Sequence, residues 1–389
     1  MITKIEYLLI IFAFTSFVSI AAGNILLGMS TLLLLLFVYK NGMCINSQYR
    51  DYYYTYAIFL FTMFLSAAFS GDVVQGVKKW LDLWIWRWMP FVIITVVVSS
   101  FIKARAILLS SLIGISVGFV TIMFQGFMGA TRAAGFFGHP MTFAGYLCIF
   151  LPILLVCFLQ KDILDKYRYV SGIAFLFGCI ALFFNGTRGA WIALAPTIFL
   201  VIVYYMLQNK KYAAIGLAFL VITSSCLVNN DRFVKRIHSI TNIKTDQSNM
   251  ERLLMWDSAY NMFRDHPVLG VGLGQYTYNY QRKYISPFAK EPRLTHAHSN
   301  YMQMLAENGI VGFLGFIVLI GYIIKSNIKC FFYDKCPYSL MIACSTVALM
   351  IQGFTEYNFG NSAVMKVYWL VLGCLLVMKA HSSKSNDIK

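Results

Sequence analysis

The stretch Thr295–Gly315, THAHSNYMQMLAENGIVGFLG, marks the point where a long polar segment turns into an apolar helix. Residues 230–305, up to this boundary, contain ten Lys and Arg residues. Residues 306–325, after it, form a mainly apolar run of about 20 residues, the length that an α-helix needs to span a lipid bilayer. The boundary therefore predicts a membrane-spanning helix that follows a large loop.

Similar apolar runs occur along most of the chain. Of the 389 residues, 59% are hydrophobic and only 12% are charged, whereas about a quarter of the residues in a soluble domain are charged. Only α-helices and closed β-barrels satisfy the backbone inside a bilayer, and these runs lack the alternation of barrel strands. The composition predicts an all-α polytopic membrane protein, with residues 1–389 forming a single integral membrane domain.

The length rule predicts about twelve spans. Their approximate extents are 5–22, 24–39, 55–70, 82–100, 105–124, 141–160, 169–185, 190–207, 211–229, 306–325, 338–354 and 362–380. The one long connection, residues 230–305, lies between the ninth and tenth spans. It is the largest predicted feature outside the membrane.

The net charge of +16 is dispersed between the spans. Membrane topology and anionic lipids explain such a distribution better than nucleic acid does. Because short connections rich in Lys and Arg stay in the cytoplasm, both termini of this multi-pass protein are predicted to be cytoplasmic. Residues 230–305 then form a large external loop, which is periplasmic in a bacterium. Their positive charge does not oppose this, since long loops cross the membrane largely regardless of charge.

The long loop contains a predicted amphipathic helix. Ser248 and Glu251 have the spacing of a capping box, and Pro267 ends the helical pattern. The apolar residues at helical spacing between them are Leu253, Trp256, Tyr260 and Phe263. We expect a helix over about 249–265 that lies against the membrane or across the mouth of the helix bundle.

Glycines and tyrosines follow this helix. Gly270-Val-Gly-Leu-Gly274 is not embedded in a βαβ pattern, so its alternating glycines predict a turn whose backbone approaches another segment closely. Four tyrosines come next, at positions 276, 278, 280 and 284. Their rings are expected either to stack on sugars or to anchor the segment at the membrane interface.

Three arginines are candidates for binding an anionic substrate. Arg132 in GATRAAG and Arg188 in NGTRGAW are flanked by small residues that leave the guanidinium accessible. Arg252 lies in the first turn of the predicted loop helix, where the positive end of the helix dipole favours anions. A single arginine at a membrane edge often contacts lipid phosphate. Three together favour a phosphate-binding site, because a guanidinium binds phosphate oxygens in bidentate fashion.

His298 is the candidate for proton transfer, because imidazole titrates near neutral pH. It stands at the external end of the tenth predicted span, where Ser299 or Asn300 is available to cap the helix. His296 adds a second ligand of the type that metals use. A His-x-His pair without an evident third and fourth ligand is weak evidence for a metal site, so no metal is predicted.

Acidic residues are scarce on the predicted external side, where they comprise Glu291, Glu307, Glu356 and a few others in the loop. Glu307 follows His298 by nine residues and stands near the start of the tenth predicted span. An acid near the start of a spanning helix is costly unless it has a partner. We therefore expect Glu307 either to orient His298 or to pair with an arginine.

These residues resemble the bacterial O-antigen ligases and the related O-antigen polymerases. The resemblance rests on HAHSNYMQMLAENGIVGFLGF, in which ten residues separate His298 from Gly309, on TRGAW around Arg188, and on Glu251-Arg252-Leu253 in the large loop. Trp256 stands where the family pattern has a leucine four residues after the loop arginine. The plan of about twelve spans with one large loop before the tenth is similar as well.

The resemblance implies a GT-C-like glycosyltransferase of the bacterial inner membrane that uses neither metal nor nucleotide and needs no cofactor. Such a ligase transfers O-antigen glycan from undecaprenyl diphosphate to lipid A–core in the periplasm, with inversion at the anomeric centre. By analogy, His298 deprotonates the acceptor hydroxyl, while Arg188 and Arg252, assisted by Arg132, bind the diphosphate. His296, Asn300 and Glu307 have supporting roles. The implied partners are the two lipid-linked substrates and membrane lipids, not nucleic acid.

Two alternatives remain open. An O-antigen polymerase performs the same chemistry with a second lipid-linked glycan as acceptor. A transporter of lipid-linked sugars is less favoured, because transporters place polar groups near the bilayer midplane, whereas these candidates cluster at one external face.

Overall fold

The structure, a computed structural model, describes residues 1–43, 45–208, 246–290 and 292–386, with side chains up to residue 382. Within these ranges the chain is helical and contains no β-strand. The predicted span 211–229 and the first part of the predicted loop, residues 230–245, lie outside the described residues. The all-α class is confirmed for the rest of the chain.

Twelve long helices occur in the described part of the chain. They are α1 Ile2–Thr15, α2 Ile20–Asn41, α3 Arg50–Ala68, α4 Val73–Val97, α5 Phe101–Phe127, α6 Pro140–Leu159, α7 Arg168–Asn185, α8 Arg188–Gln208, α9 Gln247–Asp265, α10 Asn300–Asp334, α11 Pro337–Gln352 and α12 Ser362–Asn386. All except α9 coincide with predicted spans. Eight of the described helices are long and apolar enough to cross a membrane, namely α2, α4 to α8, α10 and α12, with α7 counted from Lys161. The total of twelve spans stays a prediction.

The centre of the bundle is formed by α6 and α12. In the most apolar 18-residue windows of these helices, 94% and 83% of the residues are buried, against 22% in α2 and α7. The outer helices instead expose large apolar side chains such as Leu32, Leu35 and Val170. A helix that exposes leucine and valine in this way suits a lipid environment rather than water. The observed arrangement is that of a polytopic membrane protein.

A kink at Gly309 shapes the long helix α10. Gly309 has φ of +57°, and a Cβ added there would lie 2.4 Å from the carbonyl oxygen of Val268. The Ile310 N–H donates to the carbonyl of Pro267 at 2.8 Å, and the Val271 N–H donates to the carbonyl of Ala306 at 2.9 Å. The glycine-rich turn therefore docks directly on the backbone of α10, and its predicted close approach is confirmed.

Helix α9 differs from its predicted form in two respects. Its N-cap is Asp246, whose side chain accepts a hydrogen bond from the Asn249 N–H. The prediction of a capping box formed by Ser248 and Glu251 is therefore wrong. The buried residues of α9 are Glu251, Met255, Ser258, Ala259 and Met262. Of the predicted apolar residues, Leu253 and Tyr260 are exposed and Trp256 and Phe263 are half-buried, because the neighbouring α10 covers the side that carries Met255 and Ala259.

Candidate active site

The candidate residues meet at one end of the bundle. Helices α6, α8 and α10 begin there, α7 and α11 end there, and the N-terminus of α9 lies beside them. Two adjoining cavities of about 310 and 880 Å³ are found at this end, and Met141 and Glu356 line both. We call the smaller one the arginine cavity and the larger one the histidine cavity.

The arginine cavity brings together Arg132, Arg188 and Arg252 from three separate parts of the chain. Arg132 lies in the connection between α5 and α6, Arg188 is the first residue of α8, and Arg252 lies in the second turn of α9, not in the first. The carboxylates that line the same cavity are Asp246 and Glu356. Three positive charges thus face two negative ones, and the cavity favours an anion.

Asp246 holds the guanidinium of Arg188 in a bidentate ion pair. Nη1 of Arg188 lies 3.1 Å from Oδ2 of Asp246, and Nη2 lies 3.2 Å from Oδ1. The same carboxylate caps α9, since Oδ1 accepts a hydrogen bond from the Asn249 N–H at 3.0 Å. A carboxylate therefore occupies the position on Arg188 that a pair of phosphate oxygens would take.

Arg252 is half-buried at the edge of the same cavity. Its Nη1 donates to Oγ of Ser248 at 3.2 Å, and its Nε is buried with no hydrogen-bond partner among the described residues. Burial lowers the pKa of the guanidinium, Glu356 raises it, and the charge of Arg188 lowers it further. A buried donor without a partner in the described protein is available to an anionic ligand.

His298 and Glu356 form a close pair between the two cavities. Nδ1 of His298 lies 3.3 Å from Oε2 of Glu356. The backbone of His298 has φ of +46°, in the left-handed region that residues other than glycine seldom adopt. This turn, immediately before α10, places the imidazole beside the carboxylate. We refer to the two residues as the His–Glu dyad.

Two asparagines fix the elements that carry the dyad. Asn300 Nδ2 donates to Oδ1 of Asn358 at 2.7 Å, and the Phe359 N–H donates to Oδ1 of Asn300 at 3.1 Å. Asn300 follows His298 by two residues, and Asn358 follows Glu356 by two residues. The start of α10 is thereby tied to the connection between α11 and α12. The cap of α10 is Ser299, which frees the side chain of Asn300 for this role.

Neighbouring charges keep Glu356 ionised. Burial raises the pKa of its carboxyl group, but the hydrogen bond from His298 and the electrostatic influence of the His298, His296 and Arg252 side chains together bring the pKa below its usual range. A carboxylate accepts the proton on Nδ1 of His298 in a hydrogen bond. The lone pair on Nε2 is then available to take a proton from a substrate.

His296 lies against the dyad. Its ring centroid is 4.1 Å from that of His298, and its Nδ1 accepts a hydrogen bond from the His298 N–H at 3.2 Å. Burial lowers the pKa of His296 to about 4, with His298 adding to the effect and Glu356 opposing it. His296 is therefore neutral at physiological pH. Glu356 supplies the third metal-type ligand that the His-x-His pattern lacks in the sequence.

Residues 173–317 match the sequence model of a family described as O-antigen ligase. The chain is similar to this family over that segment, which is less than half of its length. Members of this family are glycosyltransferase-like membrane enzymes that act on lipid-linked glycans. The matched segment contains Arg188, Arg252 and His298, whereas Arg132 and Glu356 lie outside it. A search of curated proteins finds no match.

Glu307 has a different partner from the two considered above. Its Oε1 accepts a hydrogen bond from the Tyr276 N–H at 3.0 Å, whereas the carboxylate beside His298 belongs to Glu356. In the described ranges Glu307 forms no ion pair with an arginine. Glu307 thus holds the end of the glycine-rich turn at the wall of the histidine cavity.

The tyrosines after the turn separate into two groups. Tyr276 and Tyr280 are fully buried in a small core between α9 and α10, so the expectation of sugar stacking or interface anchoring is wrong for them. Tyr278 is exposed and lines the histidine cavity. Trp256, at the position of the family leucine, donates from Nε1 to the carbonyl of Ala297 at 3.0 Å. The helix of Arg252 is in this way joined to the turn of His298.

Sequence analysis missed three residues of the candidate site. Glu356 was noted only as one of the few external acids, and that scarcity was the available signal. Asp246 carries a weak local signal, since it stands at the start of a helical pattern. His139 caps α6 and lines the histidine cavity. Burial lowers the pKa of His139, Glu356 opposes the shift, and Arg132 and His298 contribute to it.

Proposed function

We propose that the protein is an O-antigen ligase that transfers glycan from undecaprenyl diphosphate to lipid A–core on the periplasmic side of the bacterial inner membrane. The observation that carries the proposal is the pair of adjoining cavities at one end of the bundle. One cavity gathers three arginines and the other contains the His–Glu dyad. A phosphate-binding site beside a positioned base is what glycosyl transfer from a lipid diphosphate requires.

The arginine cavity binds the diphosphate of the donor. Arg252 offers a buried Nε without a described partner, and Arg188 presents a fork that Asp246 now fills. Phosphate oxygens replace the Asp246 carboxylate on Arg188, since both anions accept two parallel hydrogen bonds from a guanidinium. Arg132 adds a third positive charge. Together the arginines stabilise the charge that grows on the departing diphosphate.

The His–Glu dyad activates the acceptor. Nε2 of His298 takes the proton of an acceptor hydroxyl while the hydroxyl oxygen attacks the anomeric carbon and the bond from that carbon to the diphosphate oxygen breaks. Glu356 holds the imidazole through Nδ1 and stabilises the imidazolium that forms. A single displacement inverts the anomeric centre. The histidine cavity, about 880 Å³, has room for acceptor sugars.

The diphosphate is already an activated leaving group, and guanidinium groups supply the positive charge that a metal would otherwise provide. The proposed reaction therefore needs no metal, nucleotide or other cofactor. We place both termini in the cytoplasm, and the cavities on the periplasmic side, because the short connections at the opposite end of the bundle are rich in Lys and Arg.

Complementation of a deletion strain tests the proposal. Wild-type protein should restore lipopolysaccharide carrying O-antigen, while His298→Ala should leave lipid A–core unmodified and let the polymer accumulate on its lipid carrier. His266→Ala, at an exposed site after α9, is the matched control and should complement. Shortened O-antigen chains with joining intact would instead identify an O-antigen polymerase. Purified protein should also transfer glycan in the presence of a chelator and without nucleotide, which a transporter would not do.

A further inference from the structure

Three side chains of the type that binds transition metals converge at the dyad. The potential ligand atoms of His296, His298 and Glu356 all lie within 4.8 Å of one another. The closest measured pair, Nδ1 of His298 and Oε2 of Glu356, is 3.3 Å apart. Two of these residues are close in sequence, and the third arrives from the connection between α11 and α12.

This spacing fits a tetrahedral ion. Zinc binds imidazole nitrogen and carboxylate oxygen at about 2.0–2.2 Å, so two ligands at a tetrahedral angle are roughly 3.3–3.5 Å apart. The pair in the dyad already has this separation. A small rotation of the His296 side chain brings its ring nitrogen into position as the third ligand of the ion. The fourth position opens on the histidine cavity, where water can occupy it.

The surrounding protein holds the three ligands in place. Nδ1 of His296 accepts a hydrogen bond from the His298 N–H, which leaves Nε2 of His296 as its ligand atom. The bond between Asn300 and Asn358 joins the two segments that carry the ligands. Ligands fixed by outer hydrogen bonds lose little freedom on binding an ion. The guanidinium of Arg252 near Glu356 opposes a cation, so we expect moderate affinity.

We propose that His296, His298 and Glu356 form a binding site for a transition-metal dication of the zinc class, and that the bound ion inhibits glycan transfer. The inhibition rests on the proposed function of His298. An ion on Nε2 occupies the lone pair that would accept the substrate proton. An ion on Nδ1 shifts the imidazole proton to Nε2, with the same result. Two imidazoles and one carboxylate select Zn²⁺, Co²⁺ or Ni²⁺ over Mg²⁺.

Metal binding is tested without any glycan substrate. Full-length protein is purified in detergent without a polyhistidine tag and titrated with Co²⁺, whose visible absorption reports tetrahedral coordination, and with Zn²⁺ by calorimetry. Wild-type protein should bind one ion per chain. His296→Gln and Glu356→Gln should each weaken binding at least tenfold, whereas the exposed-site control His266→Gln should not change it. Absence of binding in wild-type protein, or wild-type affinity in both cluster variants, overturns the site.

Inhibition is measured separately. Zn²⁺ should lower the transfer rate of wild-type protein at the concentration that fills the site, excess chelator should restore it, and Mg²⁺ should have no effect. Transfer that continues with the site filled overturns the inhibitory role. Protein that binds Co²⁺ but never transfers glycan contradicts the proposed function and leaves the metal site standing. Transfer that stops when the chelator is added makes the ion a cofactor and overturns the inhibition.

Discussion

Replacing Asp246 by asparagine should tighten the binding of the lipid-diphosphate donor. In the structure the Asp246 carboxylate fills the fork of Arg188 with two hydrogen bonds, at 3.1 and 3.2 Å. A diphosphate that binds Arg188 must first displace it. Asparagine retains an oxygen that caps α9, because Asn and Asp are about equally good N-cap residues. The substitution thus removes the competing charge and keeps the local fold.

The magnitude follows from the ion pair. A hydrogen bond to a charged group contributes about 1.5–3 kcal/mol when it is well shielded. The side chains of Arg188 and Asp246 are 11% and 22% exposed, so solvent weakens the pair to some extent. The amide also retains one neutral hydrogen bond to the guanidinium. We therefore expect a gain of about 1–2 kcal/mol in donor binding, which corresponds to a KM for the donor roughly 5–30 times lower.

Transfer kinetics with purified protein measure this effect. The KM for the lipid-linked donor is determined at saturating lipid A–core, with the ligated product quantified on gels. Asp246→Ala serves as the second variant, because alanine removes the charge and the helix cap together. Its thermal unfolding should show a stability about 1 kcal/mol below that of Asp246→Asn. Asp257→Asn, at an exposed position of the same helix, should behave as wild type.

The outcome separates two roles of Asp246. A lower donor KM in Asp246→Asn supports a carboxylate that competes with the diphosphate. An unchanged or higher KM, with thermal stability preserved, would refute this reasoning. Asp246 would then orient Arg188 for the substrate instead of occupying the substrate's position.

Three further substitutions test other parts of the site. Glu356→Gln should lower kcat for transfer about 10- to 100-fold with little change in donor KM, because a neutral amide no longer stabilises the imidazolium; an unchanged kcat would contradict the dyad. Arg252→Lys should lower kcat/KM by roughly tenfold or more, because lysine lacks the planar fork of a guanidinium. The control Arg264→Lys changes an exposed arginine and should leave kcat/KM unchanged. If Arg252→Lys has the same kcat/KM as this control, Arg252 does not bind the phosphate. Gly309→Ala should reduce stability in thermal unfolding by at least about 1 kcal/mol, because its φ is positive and the new Cβ meets the Val268 carbonyl. Its control in the same helix, Gly321→Ala, points into open space and should be neutral or slightly stabilising.

Local sequence patterns predicted much of the fold. Hydropathy alone placed eleven of the twelve predicted spans on helices of the described chain, because a bilayer demands long apolar helices wherever the chain crosses it. The glycine pattern of the turn at Gly270 predicted a close approach of its backbone to another segment. In the structure that segment includes Gly309, and both residues have a positive φ, which glycine tolerates best. The helix α9 was predicted within two residues of its observed ends, but the face that it turns to α10 was not predicted, because Met255 and Ala259 lie there while Leu253 and Tyr260 stay exposed.

By itself, the sequence determined that this is a helical membrane protein with a polar segment before α10, and it singled out His298, Arg188, Arg252 and Arg132. These features are encoded in composition, short motifs and flanking small residues. Only the tertiary structure decided how they combine. Glu356 is 58 residues from His298, and Asp246 is 58 residues from Arg188. Contacts over such separations leave no periodic trace in a single sequence, because they depend on how the ends of α8, α9, α10 and α11 pack together.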